Sequence, residues 1–398
     1  MFLNSIERRN KKLIESSIEL HQEGKIPANS YVIDLDTVHK NAKRMGDEGK
    51  KFNLKVFAMT KQIGRNPAVL ETIKNAGIDS CVAVDMNDAR PIHEAGLKIG
   101  HLGHLVQVPK HETEAGLSFE PSYWTVFSYE KAESISNKIK SNRTQNILAR
   151  IFEDGDTFYR GHEGGFRACD ILEVKERINS FKGLNFAGIT TFPTQLFDKE
   201  KLDVCQTNNM RTLEKTAKIL RDSGMSHIEI NAPGTTSSLI FERLANLGVT
   251  QVEPGHGLTG TVPLNAFKDL EEIPAMVYVS EVSHIHLGKA YCFGGGMYID
   301  PVFGDYDVKA FVGSNAEDAF KQKISCEIPN PAAIDYYGIL DTEPGSLVKE
   351  GDTVVFGFRA QAFVTRAYMV PISGLSTGNP KVEGIFTTDG RKVGWPQW

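Results

Sequence analysis

Short apolar runs alternate with longer amphipathic stretches through the first two thirds of this chain. From residue 31 the pattern YVIDLDTVHKNAKRM reads as a short strand, a capping pair at Asp36 and Thr37, and then a helix. Eight further strand candidates follow, at 54–59, 80–84, 101–106, 124–127, 146–152, 184–190, 227–230 and 249–252. Amphipathic segments at 67–75, 86–95, 129–140, 171–180, 205–223 and 237–246 read as the helices between them. Strands that alternate with helices put a parallel sheet at the centre. Eight such units close on themselves as a TIM (β/α)8 barrel, so the predicted class is α/β. An open doubly wound sheet is the competing layout, but no GxGxxG follows the first strand.

After Pro274 the texture changes. The segments AMVYVSEVSHIHLG, KAYCFGGGMYI, GDTVVFGF and AFVTRAYMVPI are rich in Val, Tyr, Phe and Thr and are broken by glycine, which predicts a β domain. The strand at 31–35 precedes the first barrel unit and is free to pair into that domain. The expected organisation is therefore an N-terminal helix and strand at 1–36, a barrel at 37–273 and a C-terminal β domain at 274–398. The leading residues MFLNSIERRNKKLIESSIEL carry charges throughout, so they read as an amphipathic helix and neither a signal peptide nor a membrane span.

Composition narrows the setting. A net charge of −5 with scattered Lys and Arg gives no electrostatic reason to expect nucleic acid or an anionic membrane as partner. Cys81, Cys169, Cys205, Cys292 and Cys326 are odd in number, far apart and free of any CxxC pairing. That argues against a disulfide framework or a structural zinc site and fits a reducing cytoplasm.

Candidate chemistry sits at the ends of the predicted strands. In VFAMTKQIGRNP the first strand ends on Lys61, with Arg65 four residues on. A lysine after a strand is ordinarily just solvated, so the other strand ends decide its meaning. NAPGTTSS after the seventh strand supplies Asn231, Gly234, Thr235 and Thr236. EPGHGLTG after the eighth supplies Glu253, Gly255 and His256. Glycine-rich loops with hydroxyls after strands 7 and 8 are where such barrels hold phosphate. A strand-end lysine opposite a phosphate cradle is the set that pyridoxal 5′-phosphate (PLP) requires.

The order of YVIDLDTVHKN, a strand with Lys61, eight barrel units and a C-terminal β domain resembles the fold type III PLP enzymes, the alanine racemase and ornithine decarboxylase superfamily. The resemblance covers nearly the whole chain. The stretches AMTKQIGRNP and DTFYRGHEGGF are similar to the YhfX-type racemase-like branch. It implies that Lys61 is the Schiff-base lysine and that Arg65 takes the place of a phosphate-binding tyrosine. Phe192, in AGITTFPTQ, falls where racemases stack a histidine on the pyridine ring. Arg160 lies near the arginine that steers the substrate carboxylate, with Arg167 as the other candidate. Glu253 stands where alanine racemases place an arginine beside the pyridine nitrogen, and a carboxylate there resembles the decarboxylase side of the superfamily. It would favour the protonated ring and a stronger electron sink.

The C-terminal stretch VSEVSHIHLGKAYCFGGGMY resembles the segment that carries the racemases' second base into the partner's site. Phe293 occupies the tyrosine slot there, leaving Tyr291 or Cys292 for that role, with His286 and Tyr298 nearby. Cys326 and Asp335 do not form the adjacent Cys-Asp pair of the decarboxylases. GDTVVFGFRAQAFVTR lacks the His-x-Asp or His-x-Cys metal pair of D-threonine aldolases and D-serine dehydratases, so no metal is expected. The resemblance implies an amino acid racemase that acts on a small amino-acid substrate as a homodimer, with an amino acid decarboxylase as the alternative. A PLP-binding protein without catalysis would stop at the barrel, and a metal-free phosphosugar barrel enzyme would lack the visible imine absorbance of PLP.

Overall fold

The computed structural model describes residues 2–298, 300–304, 306–330, 333–343 and 345–396. The chain divides into two compact units. A barrel unit takes in Ala42–Thr60 and Ile73–Gly255, and a sheet unit takes in Met1–Asn41, Lys61–Thr72 and His256–Trp398.

The barrel unit is built on the parallel strands Lys55–Val56, Ala58–Met59, Ser80–Ala83, Lys98–Leu102, Tyr123–Val126, Gln145–Phe152, Leu184–Thr190, Glu229–Asn231 and Gln251–Val252. The first two are halves of one strand split at Phe57. One half bonds to the last strand, Gln251 opposite Lys55, and the other bonds forward, Ala58 opposite Cys81. The ring therefore closes through a single strand, and the predicted (β/α)8 barrel is present. Gln145–Phe152 and Leu184–Thr190 are buried along most of their length. Parallel strands covered on both faces read as near-continuous apolar runs, which is why the pattern was visible in the sequence. Asp85 and Ser128 fix where two of the following helices start, each accepting backbone N–H groups of the first turn.

Among the elements whose bounds differ from expectation, two have a clear local cause. The third strand occupies Lys98–Leu102 rather than 101–106, because Gly103 takes a φ of +75° and turns the chain. The helix expected from 205 begins at Asn208, since Asp203–Gln206 pairs with Gln195–Asp198 in a hairpin. Gly188 marks a close approach of strands: a Cβ there would lie 1.9 Å from the Glu229 carbonyl oxygen. Gly188→Ala is expected to cost about 3 kcal/mol or more of stability, read as a lower urea midpoint.

In the sheet unit the N-terminal strand Ser30–Asp34 is buried at every residue. It pairs antiparallel with Met276–His286 and parallel with Tyr368–Ser373. The leading amphipathic segment forms two helices, Phe2–Arg9 and Lys11–Gln22, separated at Asn10, whose amide donates to Asp34 and to the Pro274 carbonyl, each at 3.0 Å. Phe2, Ile6, Leu13, Ile14 and Ile18 pack against Val32, Val277, Val355 and Val370 to form the core of this unit. No helix among the described residues is long and apolar enough to cross a membrane.

Candidate active site

Several strand ends of the barrel unit converge on one carboxylate. Glu253 directly follows the last strand, and its side chain is completely buried. Its Oε1 accepts a hydrogen bond from Asn231 Nδ2 at 2.8 Å and lies 2.5 Å from His101 Nδ1. Asn231, the last residue of its strand, accepts the Thr190 hydroxyl at 2.7 Å. The other nitrogen of His101 lies 2.5 Å from Thr125 Oγ1, and His104 Nδ1 lies 3.4 Å from Glu253 Oε2. Burial pushes the Glu253 carboxyl up, but the charges of His104 and His101 and the hydrogen bonds from His101 and Asn231 outweigh it, holding the carboxyl at about 2. Glu253 is an anion at neutral pH.

Two histidines and a carboxylate are also metal-ligand chemistry, with the three groups within 4.8 Å of one another. Ligands at ~2 Å around one tetrahedral ion stand roughly 3.3 Å apart. The 2.5 Å contact between His101 and Glu253 is instead the length of a charge-assisted hydrogen bond.

Phe192 stands in an aromatic group with His104, Tyr159 and His162, its ring centroid 5.6, 5.7 and 5.9 Å from theirs. Beneath it, Arg150 is completely buried and donates through Nη2 to the carbonyls of His162 and Phe192, at 2.9 and 3.4 Å. Arg160 is exposed in the loop that follows the same strand, and Arg167 pairs with Asp154 at 3.4 Å. In the loop 231–238 the Thr235 N–H already donates to the Gln195 carbonyl at 2.9 Å, and the buried Thr236 hydroxyl donates to Gly234 O at 3.2 Å. Gly234 is required there, because a Cβ would lie 2.4 Å from Gln195 O.

In the sheet unit Lys61 opens the turn Lys61–Ile63, the next residue in the chain after the barrel unit's Thr60. Its Nζ lies 5.1 Å from the Phe363 ring centroid, and the Arg65 guanidinium lies 5.4 Å from the same ring. Arg65 is buried with a φ of +49° and donates to Thr388 O at 3.3 Å. His256 Nε2 is 3.2 Å from the Gln361 amide nitrogen, and its Nδ1 is 3.1 Å from Thr261 Oγ1. An amide N–H donating to Nε2 makes that nitrogen the acceptor and leaves the proton on Nδ1. Burial, then the charges of Arg359 and Lys61, holds the His256 pKa well below its ordinary value, so the ring is neutral. Arg359 forms an ion pair with Asp300.

Tyr291 and Cys292 lie side by side on Lys289–Phe293 and point to opposite faces. Tyr291 is half-buried and stacks on His284 with centroids 4.6 Å apart. Cys292 is completely buried, with its thiol directed at the Gly338 carbonyl and the Cys326 thiol as a neighbour.

Sequence reasoning missed His101, His104, Thr125, Arg150 and Gln361. A signal existed for three of them. With the third strand placed at Lys98–Leu102, HLGH falls at its C-terminal end, the edge where barrels carry chemistry. Arg150 is a charge inside the apolar run NILARIF.

Comparison with known proteins gives this arrangement its class. The family described as alanine racemase, N-terminal domain, matches residues 33–263, and YhfX-like, C-terminal domain, matches residues 277–382. The chain belongs to the alanine racemase-like family of fold type III PLP enzymes. It is 36% identical over 395 residues to the Escherichia coli (strain K12) protein described as "Uncharacterized protein YhfX", covering 99% of this chain and 100% of that one. In fold it is similar to D-threonine aldolase from Filomicrobium marinum, with a TM-score of 0.68 at 16% identity over 92% of this chain and 96% of that one. It is also similar to alanine racemase from Clostridium difficile 630 in complex with cycloserine, with a TM-score of 0.64 at 17% identity over 91% and 99% of the two chains. D-threo-3-hydroxyaspartate dehydratase from Delftia sp. HT23 gives a TM-score of 0.63 at 16% identity over 90% and 97%.

Members of this family use PLP. The residues present fit that group at its most demanding point. Oε1 of Glu253 takes both of the hydrogen bonds, while the buried Oε2 has His104 Nδ1 at 3.4 Å and forms no hydrogen bond among the described residues. An ionised carboxylate with one acceptor unfilled suits a protonated ring nitrogen.

Proposed function

We propose that the protein is a PLP-dependent enzyme acting at the α-carbon of an amino acid, and that it is an amino acid racemase. The observation that carries the PLP chemistry is Glu253, a buried anion at the end of the last barrel strand with Oε2 unfilled. When bound, PLP supplies the electron sink for charge that develops at the α-carbon. In this reading Lys61 anchors the cofactor and moves the proton on one face of that carbon. Arg65, Thr235, Thr236 and Gly255 hold the phosphate, with Asn231, Gly234 and His256 lining the same loops. Phe192 supports the ring and Arg160 takes the α-carboxylate. Tyr291 serves the other face from a partner subunit of a cytoplasmic homodimer. Its half-buried phenol favours it over Cys292, whose thiol is sealed within the sheet.

A second reading, an amino acid decarboxylase, is favoured by Glu253 itself, since a protonated ring is the stronger sink. Incubation of a panel of amino acids in heavy water separates the two. The expected result is deuterium at the α-carbon of the recovered amino acid with loss of optical activity and no carbon dioxide. Carbon dioxide with a product amine would establish decarboxylation, and neither change would remove both readings.

A further inference from the structure

Arg150 is a cation that the fold buries with no counter-ion among the described residues. It lies in Gln145–Phe152 and has no solvent exposure. Its guanidinium carbon is 5.1 Å from the Phe127 ring centroid and 5.9 Å from that of Phe158. Nη2 reaches two carbonyl oxygens, but Nε and Nη1 have no acceptor among the described residues, and no described carboxylate pairs with the group. Burial lowers its pKa only to about 10, which leaves it charged at neutral pH. A desolvated charge of this kind is normally paired, because isolating it from water is expensive.

The surroundings hold the arginine in place. Phe158 and His162 belong to the loop at 153–165 that follows the strand. The loop returns tightly over the arginine: Gly165 has a φ of +122°, and a Cβ there would lie 2.4 Å from the Arg150 carbonyl oxygen and 2.8 Å from its Cγ. Phe192, on the other side, is tied to Arg150 through its carbonyl. The guanidinium is thus fixed and flanked by aromatic rings, and it keeps two N–H nitrogens, Nε and Nη1, without an acceptor among the described residues; a guanidinium pairs with a carboxylate through two such nitrogens at once.

We propose that Arg150 receives a carboxylate on the side chain of the substrate, so that the substrate class is the acidic amino acids. The assignment rests on the reading that the protein acts on an amino acid at PLP held by Lys61, in which Arg160 already takes the α-carboxylate. Two arginines then meet two anions. Selectivity follows from the burial: a neutral side chain would leave the cation as unpaired as before, whereas an anionic one supplies the missing acceptors.

The test uses PLP-loaded protein titrated calorimetrically with succinate and with butyrate, which differ by the second carboxylate. Wild type is expected to bind succinate about tenfold or more tightly than butyrate. Arg150→Met is expected to bring the two within about twofold of each other, and Arg150→Lys, which keeps the charge and loses the fork, to fall between. Near-ultraviolet circular dichroism checks that both variants fold, and the lysine variant decides the matter if the methionine one does not. Equal affinities in wild type, or a preference that survives in the variants, would overturn the proposal. So would a loss of PLP affinity in Arg150→Met with the ratio intact, which would give the arginine to the cofactor's phosphate. Borohydride reduction followed by peptide mass analysis is a separate readout. A missing pyridoxyl group on Lys61 defeats the function proposed above, while the ratio of affinities still decides Arg150.

Discussion

Glu253→Gln is expected to lower turnover by roughly two to three orders of magnitude with little change in fold, measured as the rate of α-deuterium exchange in heavy water. The amide is nearly isosteric and still accepts from Asn231 and His101 through its oxygen, so what is lost is the negative charge. In the proposed reading, Glu253 would hold a proton on the nitrogen of a bound PLP ring, so removing its charge would weaken the electron sink that the cofactor would supply. An unchanged rate would remove Glu253 from the chemistry. The same substitution has a second signature in stability. The carboxyl is depressed from 4.5 to about 2, so its ionised form favours the folded state. That contribution is fully present above pH 4.5 and is lost as pH falls toward 2. The difference in unfolding free energy between wild type and the glutamine variant should therefore shrink across that window. A gap that stays constant would show that the carboxylate is not held by its histidine neighbours.

Lys61→Ala is expected to abolish covalent attachment of PLP and to cost about 10⁴-fold or more in exchange rate, since the lysine is asked both to hold the cofactor and to move the proton. The checks are the visible absorbance of the protein supplied with PLP, and the mass of the Lys61 peptide after borohydride. Persistence of the absorbance with a pyridoxyl group on another lysine would relocate the site.

The barrel was legible because parallel strands buried on both faces leave an apolar run wherever they occur. The place of the N-terminal strand ahead of the first barrel unit left it free to pair into the β domain, but nothing local named its two neighbours. What escaped was contact between distant residues. His101 and Glu253 are 152 positions apart, and nothing local in either segment announces their meeting. Placing the third strand three residues late hid the first histidine at the wrong end of it. Cys292 illustrates a different limit. Tyr291 and Cys292 are adjacent in sequence, and only the alternation of a strand of known register separates a half-buried phenol from a sealed thiol.

The pairing of Ser30–Asp34 with Tyr368–Ser373 has a consequence for how the chain matures during synthesis. The antiparallel neighbour of Ser30–Asp34, Met276–His286, and its parallel neighbour, Tyr368–Ser373, both lie downstream of every barrel strand, so neither exists when the strand itself is made. The barrel unit lies between that strand and both neighbours in sequence and can close before either edge of the strand is covered. Until Met276–His286 has been translated the sequence SYVID is thus a strand without neighbours, the kind of segment that chaperones bind and that pairs wrongly with other nascent chains.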